Sequence, residues 1–197
     1  MDFLAYEKYL EWVDSKIAKF FEQAKPYVFC KVGCAHCCKR GEYPYSLLEF
    51  KYILYGSLNL SKETMLEIDK NVEEVRALQR ENTEERFFYR CPFLINDKCA
   101  VYKYRGLICR THGLAFYINE NNNFKVPSCV DLGLNYSNVV DSEHKLFSQE
   151  MFDKLGIEEE PLAYNLSLKF LLNNDATQKL ELDFGENRPL IDWFVAE

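Results

Sequence analysis

Four of the chain's eight cysteines fall within nine residues, as Cys30, Cys34, Cys37 and Cys38. On a continuous helix, which turns by about 100° per residue, these four side chains would share one face. Gly33 also allows a turn, followed by a helix that begins near Cys34. In either arrangement the thiols converge, and amides at a helix N-terminus would stabilise thiolate or metal-bound sulfur. The spacing therefore predicts a metal-binding segment.

The other four cysteines are Cys91, Cys99, Cys109 and Cys129. Their separations are too long for one helix, so only the tertiary fold can bring them together. Scattered cysteines are often small apolar residues of a core, but clustered ones are typical of metal sites. Eight thiols suffice for two tetrathiolate sites, or for one site with additional redox or structural cysteines. We therefore predict that all eight cysteines are metal ligands, in one or two sites.

The composition indicates a globular protein that needs no disulfides to fold. The chain has 197 residues, of which 48% are hydrophobic, and only eight glycines and six prolines. Its first residues lack the basic start and apolar run of a secretory signal, and no stretch is long enough for a membrane span. We therefore expect a cytoplasmic protein without a membrane partner, in which thiols stay reduced and available to metal. The net charge of -7 argues against nucleic acid as a partner, and no protein partner is indicated.

Apolar residues at spacings of three and four predict a mainly α-helical fold whose centre is irregular, with a small β hairpin. Ser46 and Glu49 have the spacing of a capping box, and Gly56 is the expected stop of the helix that follows. Residues 114–118 and 124–126 are expected to form the hairpin, and residues 189–195 a short helix or a docked strand. We predict one domain over 1–197, with a metal-binding region at 27–130 and a helical extension at 142–197. The expected helices cover residues 2–24, 47–55, 62–82, 143–155 and 161–172.

Three motifs carry a resemblance to a known family. They are the first cluster with its Cys37-Cys38 ending, Cys-Pro-Phe-Leu at 91–94, and Cys-Ala-Val-Tyr-Lys-Tyr-Arg-Gly-Leu-Ile-Cys-Arg at 99–110. Together they resemble the CxxCxxCC cysteine-cluster family, also called the YkgJ family, of zinc- or iron-chelating domains. The resemblance implies metal chelation over about half the chain. Cys30 departs from the family pattern by one extra residue before Cys34, and Gly106 stands where the family usually has proline.

The sequence leaves the metal open between an iron-sulfur cluster and zinc, because thiolates bind both. The adjacent pair Cys37-Cys38 favours a polynuclear centre or two neighbouring sites, although the spacings do not match the common ferredoxin patterns. The spacing of Cys30, Cys34 and Cys37 equals that of radical S-adenosylmethionine enzymes, but the helices that follow and the few glycines argue against that class.

Three functions stay open at this point. The first is metal binding with a redox or metal-handling role, and the second is a purely structural zinc domain. The third is an iron-sulfur-dependent enzyme that modifies a protein or small molecule, as implied by a similar cluster in flagellin lysine N-methylases. Such an enzyme would need an open coordination position or a pocket beside the cysteines.

Charged and imidazole side chains near the cysteines are candidates for supporting roles. His36 and His112 could ligate the metal or orient a ligand, whereas His144 is expected to do neither. Arg105 and Arg110 flank Cys109 in the sequence, and their positive charge would lower the pKa of its thiol.

Overall fold

A computed structural model describes residues 2–31, 33–117, 124–141, 143, 146–158 and 160–194 of the chain. These residues form helices and only short strand pairs, which confirms the mainly α-helical prediction. Within them, none of the helices is both long and apolar enough to cross a bilayer. The helices are α1 (Leu4–Gln23), α2 (His36–Lys39), α3 (Leu47–Ser57), α4 (Lys62–Glu81), α5 (Leu107–Thr111), α6 (Gln149–Leu155), α7 (Leu168–Leu172) and α8 (Asp175–Lys179). The strands are β1 (Pro44–Ser46), β2 (Leu94–Ile95), β3 (Lys98–Cys99), β4 (Phe116–Tyr117), β5 (Phe124–Lys125) and β6 (Asn187–Pro189).

The chain folds into two compact units. Unit 1 comprises residues 1–32 and 111–182, and unit 2 comprises residues 33–110 and 183–197. Six of the eight cysteines belong to unit 2, while Cys30 and Cys129 belong to unit 1. The single domain, the metal-binding region and the C-terminal extension stay predictions.

Unit 1 is built on α1, which ends where the sequence predicts. Its buried face has the expected spacing of three and four residues. Phe20 stacks on Tyr164 with 4.2 Å between ring centroids. The predicted hairpin is present as the antiparallel pair β4–β5, and its loop, 118–123, lies outside the described residues. The buried face consists of Tyr6, Tyr9, Leu10, Val13 and Ile17.

Two helices of unit 1 are shorter than predicted. The helix expected at 161–172 begins only at Leu168, with Ser167 as its cap. Tyr164 instead bonds to the β4 region, donating its N–H to Ala115 (3.0 Å) and accepting from Tyr117 (2.9 Å). Because these backbone groups are engaged there, they cannot make helical hydrogen bonds. The described part of the helix expected at 143–155 begins at Gln149 and ends, as predicted, before a left-handed glycine.

Unit 2 has its core between α3, α4 and the last described segment of the chain. Ser46 and Glu49 form the predicted capping box of α3, and Ser61 caps α4. β6 pairs antiparallel with β1 and leads into a 3-10 turn at Leu190–Trp193, so the segment 189–194 combines a strand end with a helical turn. The core residues are Tyr43, Tyr45, Phe50, Ile53, Ile68, Val72, Val75, Tyr89, Phe93, Val101, Leu190 and Ile191.

Gly56 does not end α3, which continues to Ser57. A Cβ atom at this glycine would lie 2.2 Å from Cγ of the Tyr104 ring. Gly56 therefore serves the close approach of an aromatic ring to the helix, and not the termination that the sequence suggested.

Candidate metal centre

The first cysteine segment of unit 2 is a turn followed by a short helix. Gly33 has a φ of 91°, and α2 follows with Cys37 and Cys38 in it. Their Sγ atoms are 3.9 Å apart. Two thiolates of a tetrahedral zinc site, with Zn–S near 2.3 Å, lie about 3.8 Å apart. The adjacent pair can thus share one ion, so it does not by itself require the polynuclear centre or paired sites that the sequence favoured.

Cys91 is tied to this segment through the backbone. Its N–H donates to the carbonyl of Cys38 at 2.8 Å. Two residues earlier, Tyr89 exchanges two backbone hydrogen bonds with Gly41, at 3.0 and 3.1 Å. These bonds lay the chain entering Cys91 directly beside the chain leaving α2.

Cys99 is positioned by a tight hairpin that the sequence analysis missed. It lies in β3, opposite Leu94 of β2. The two residues between the strands, Asn96 and Asp97, both have positive φ. This is the geometry of a two-residue hairpin turn, for which Asn and Asp are favoured. The Asn-Asp pair between short apolar runs was the available signal.

Cys109 lies in α5, whose start is fixed by a buried carboxylate. Glu49 is only 1% exposed. It accepts hydrogen bonds from the N–H of Leu107 (2.7 Å) and from the N–H and hydroxyl of Ser46 (2.9 and 2.7 Å). One side chain thereby joins the N-terminus of α3 to that of α5. Burial raises the pKa of Glu49, against the opposing effect of the Ser46 hydrogen bonds.

Two core tyrosines reach the cysteine segments. The Tyr43 hydroxyl donates to the carbonyl of Cys37 (3.1 Å) and also lies 3.2 Å from that of Tyr89. The Tyr45 hydroxyl lies 3.4 Å from Sγ of Cys109. Nothing in the sequence distinguishes these tyrosines from the other aromatic residues of the chain.

Five thiols of unit 2 influence one another electrostatically: Cys37, Cys38, Cys91, Cys99 and Cys109. Burial, and then the charges of Cys109, Cys99 and Cys37, raise the pKa of Cys91. Burial also raises the pKa of Cys109 to about 12. The hydrogen bond shared by Cys37 and Cys38 lowers the pKa of Cys37 to about 7 and raises that of Cys38. Cys38, Cys91 and Cys109 therefore hold protons that a divalent cation would displace, whereas Cys37 ionises more readily than they do.

Hydrogen-bond donors nevertheless point at these sulfurs. Burial raises the pKa values of Cys91 and Cys99, but the backbone amides of Phe93 and Val101, each two residues further on, lower them. Tyr45 has the same effect on the pKa of Cys109. Such donors favour the thiolate form, which is the form that binds metal.

The donor chemistry fits zinc or iron. Soft thiolates select zinc, copper(I) and iron-sulfur clusters over the hard cations that oxygen ligands prefer. Within the described residues, no three His, Cys, Asp or Glu side chains are already arranged around one point as ligands. The five thiols thus supply suitable donors on neighbouring segments, and binding of a metal would have to draw them closer together.

Three of the predicted cysteine ligands are not among these five thiols. Cys34 is half-buried just before α2, and His36 is exposed at the start of that helix. In unit 1, Cys30 is exposed, with its backbone N–H bonded to Oδ1 of Asn135 at 2.9 Å. Cys129 is half-buried in a 3-10 turn.

The structure describes three of the four other candidates, His112, Arg105 and Arg110. Among the described residues, the buried Nε2 of His112 has no hydrogen-bond partner, and burial lowers the pKa of this imidazole. His144 lies outside the described residues. The charge of Arg105 lowers the pKa of Cys99, and that of Arg110 lowers the pKa of Glu49, in each case against the larger effect of burial.

Comparison with known proteins supports the chemistry of this centre. The sequence model of the CxxCxxCC family, described as a putative zinc- or iron-chelating domain, matches residues 29–130. This range is more than half of the chain and contains all eight cysteines. No curated protein and no solved structure matches the chain. The chain belongs to the CxxCxxCC family, as its cysteine motifs predicted.

Proposed function

We propose that unit 2 chelates zinc or iron through thiolates drawn from Cys37, Cys38, Cys91, Cys99 and Cys109, and that the metal has a redox or metal-handling role. The observation that carries this proposal is the proximity of five thiols from four separate segments beside one hydrophobic core. Grouping these thiols beside a hydrophobic core has an energetic cost, because a charge on one thiolate raises the pKa of its neighbours. A bound cation reverses that penalty.

The residues around the thiols have defined tasks in this proposal. The tyrosines and the aliphatic core exclude water, while the amides of Phe93 and Val101 stabilise charge on sulfur. A bound iron-sulfur cluster would supply one-electron chemistry, and a zinc ion would supply fixed positive charge. Because these thiols must stay reduced, the proposal includes a cytoplasmic location.

Metal content and an optical spectrum of protein purified without oxygen test the proposal. Iron with matching acid-labile sulfide, and a brown absorbance that dithionite bleaches, would support the redox role. Zinc in a colourless protein would support metal handling or a structural site. Absence of both metals from protein purified and reconstituted without oxygen would contradict the proposal.

A substitution series tests the ligand set. We expect Cys91→Ser and Cys109→Ser to reduce bound metal to near zero, and full occupancy in both would contradict the assignment. Cys30→Ser and Cys129→Ser are matched controls in unit 1, where the proposal expects metal to be retained. Loss of metal in either control would instead favour the wider set of all eight cysteines. Helical circular dichroism shows which variants still fold.

An enzymatic function is a second candidate, favoured by a cavity of about 420 Å³ in unit 2. Tyr43, which bonds to the Cys37 carbonyl, is part of its wall. Replacing Gln79, another lining residue, with tryptophan would fill the space while leaving the thiols in place. Mass spectrometry should then find a small molecule retained by the unmodified protein and absent from the Gln79→Trp variant. The lining consists of Glu42, Tyr43, Pro44, Gln79, Glu85, Phe87, Tyr89, Asn187, Arg188 and Pro189.

A further inference from the structure

We propose that Tyr45 is a positioning residue for the metal centre, and that its hydroxyl donates a hydrogen bond to the metal-bound thiolate of Cys109. The inference rests on the function proposed above. Tyr45 is 2% exposed, and its hydroxyl oxygen lies 3.4 Å from Sγ of Cys109. Hydrogen bonds of this kind orient a ligand and set how strongly it holds the metal.

A second hydrogen bond fixes the direction of the first. The N–H of Gly106 donates to the Tyr45 hydroxyl oxygen at 3.0 Å. This bond uses a lone pair of the oxygen and leaves the phenolic proton available to the sulfur. A thiolate can only accept, so the Tyr45 hydroxyl must be the donor when Cys109 binds metal.

Cys109 depends on a side-chain donor because of where it lies. Cys91 and Cys99 are followed by irregular chain, and the backbone amides two residues on can serve their sulfurs. Cys109 lies inside α5. Amides within a helix bond to carbonyls of the preceding turn and are not free to turn toward a sulfur.

Gly106 makes this arrangement possible. A Cβ atom at this position would lie 2.7 Å from Cζ of Tyr45 and 2.9 Å from Oε1 of Glu49. Any larger residue would therefore displace the ring or the carboxylate that holds α5. A proline would in addition lack the N–H that bonds to the Tyr45 hydroxyl.

Tyr45→Phe and Tyr89→Phe form a matched pair of variants. Each removes one hydroxyl from the same core and leaves one backbone N–H without its acceptor, because Tyr89 accepts from Ile191 at 3.2 Å. Zn²⁺ affinity of the full chain would be measured by competition with a chelator. The thiolate-to-metal charge-transfer band would be recorded with Co²⁺ in the same site.

We expect Tyr45→Phe to bind Zn²⁺ about 10–100-fold more weakly and to move the Co²⁺ charge-transfer band to longer wavelength. The shift follows because a thiolate that loses its hydrogen bond gives up electron density more easily. Tyr89→Phe should keep the band and an affinity close to that of the unmodified chain. Gly106→Ala keeps the hydroxyl but displaces the ring, so its band should move in the same direction as that of Tyr45→Phe.

An unchanged band and affinity in both Tyr45→Phe and Gly106→Ala would overturn the inference. Equal losses in Tyr45→Phe and Tyr89→Phe would also overturn it, because they would show a general effect of core hydroxyls. If Tyr45→Phe does not fold, Gly106→Ala decides. An unmodified chain that binds neither ion would overturn the proposed function itself, and the role of Tyr45 with it.

Discussion

Unit 1 and unit 2 place their cysteines in different surroundings. In unit 2, Cys91, Cys99 and Cys109 pack against the hydrophobic core and oppose one another's ionisation. In unit 1, Cys30 is exposed and Cys129 lies in a half-buried turn. Cys129 is half-buried like the three cysteines of unit 2, so the two units differ chiefly in the mutual charge effects of their cysteines.

Each unit also has one polar side chain that joins separate segments, Glu49 in unit 2 and Asn135 in unit 1. In unit 2, the carboxylate of Glu49 bonds to the start of α5 and stands near Cys109, whose pKa it raises in addition to the larger effect of burial. In unit 1, the neutral amide of Asn135 accepts from the N–H groups of Phe29 and Cys30 and donates to the carbonyl of Gly113. Unit 2 therefore gathers groups that become negative when ionised, and the proposed metal ion would offset this charge.

Metal removal should give the largest difference between the units. A structural zinc contributes about 10–16 kcal/mol to folding, which exceeds or equals the stability of a typical domain, about 5–15 kcal/mol. After chelation, we expect the amides of Leu94 and Ala100 in unit 2 to lose hydrogen-exchange protection. The amides of Ala24 and Tyr164 in unit 1 should lose much less. Equal losses in the two units would contradict a metal centre confined to unit 2.

Metal binding should also depend steeply on pH. Because the pKa values of Cys91, Cys99 and Cys109 are raised, these thiols carry protons at neutral pH and must release them to bind an ion. Zn²⁺ binding should thus release about three to four protons per ion. The affinity for Zn²⁺ should therefore increase about a thousandfold or more for each unit by which the pH rises, up to about pH 9. A pH indicator in weak buffer measures the release directly. Release of one proton or fewer would contradict a site made of protonated thiols.

Substitution of Glu49 and of Asn135 by alanine compares how far each side chain supports folding and metal binding. Glu49→Ala leaves the N–H groups of Leu107 and Ser46 buried without their acceptor, which should cost about 3 kcal/mol of folding stability. It should also weaken metal binding, because α5 carries Cys109. Asn135→Ala should cost about 2 kcal/mol by the same mechanism and leave metal content unchanged. Urea unfolding measures the stability of both variants, and metal analysis measures their bound metal. Loss of metal from Asn135→Ala but not from Glu49→Ala would contradict a metal site in unit 2.

The sequence predicted what depends on local chemistry. The cap of α3, the end of α1 and the strands of the β4–β5 hairpin follow from spacing and turn residues, as does the turn at Gly33. Spacing does not predict which cysteines come close together, because this depends on which distant segments pair. The hydrogen bond from the Cys91 N–H to the Cys38 carbonyl is an example. Tyr45 could not be singled out for the same reason, because its partners Gly106 and Cys109 are about 60 residues away.

Gly56 tests how closely α3 packs against an aromatic ring in unit 2. In an open helix, Gly→Ala stabilises by up to about 1 kcal/mol, but here the new Cβ would meet the Tyr104 ring at 2.2 Å. We therefore expect Gly56→Ala to lower the free energy of unfolding by about 1–3 kcal/mol. Combining it with Tyr104→Ala removes the clash, so the same glycine substitution should then become neutral or stabilising. Urea unfolding of the two single variants and the double variant measures the reversal. A cost that persists without the ring would contradict the explanation by close packing against Tyr104.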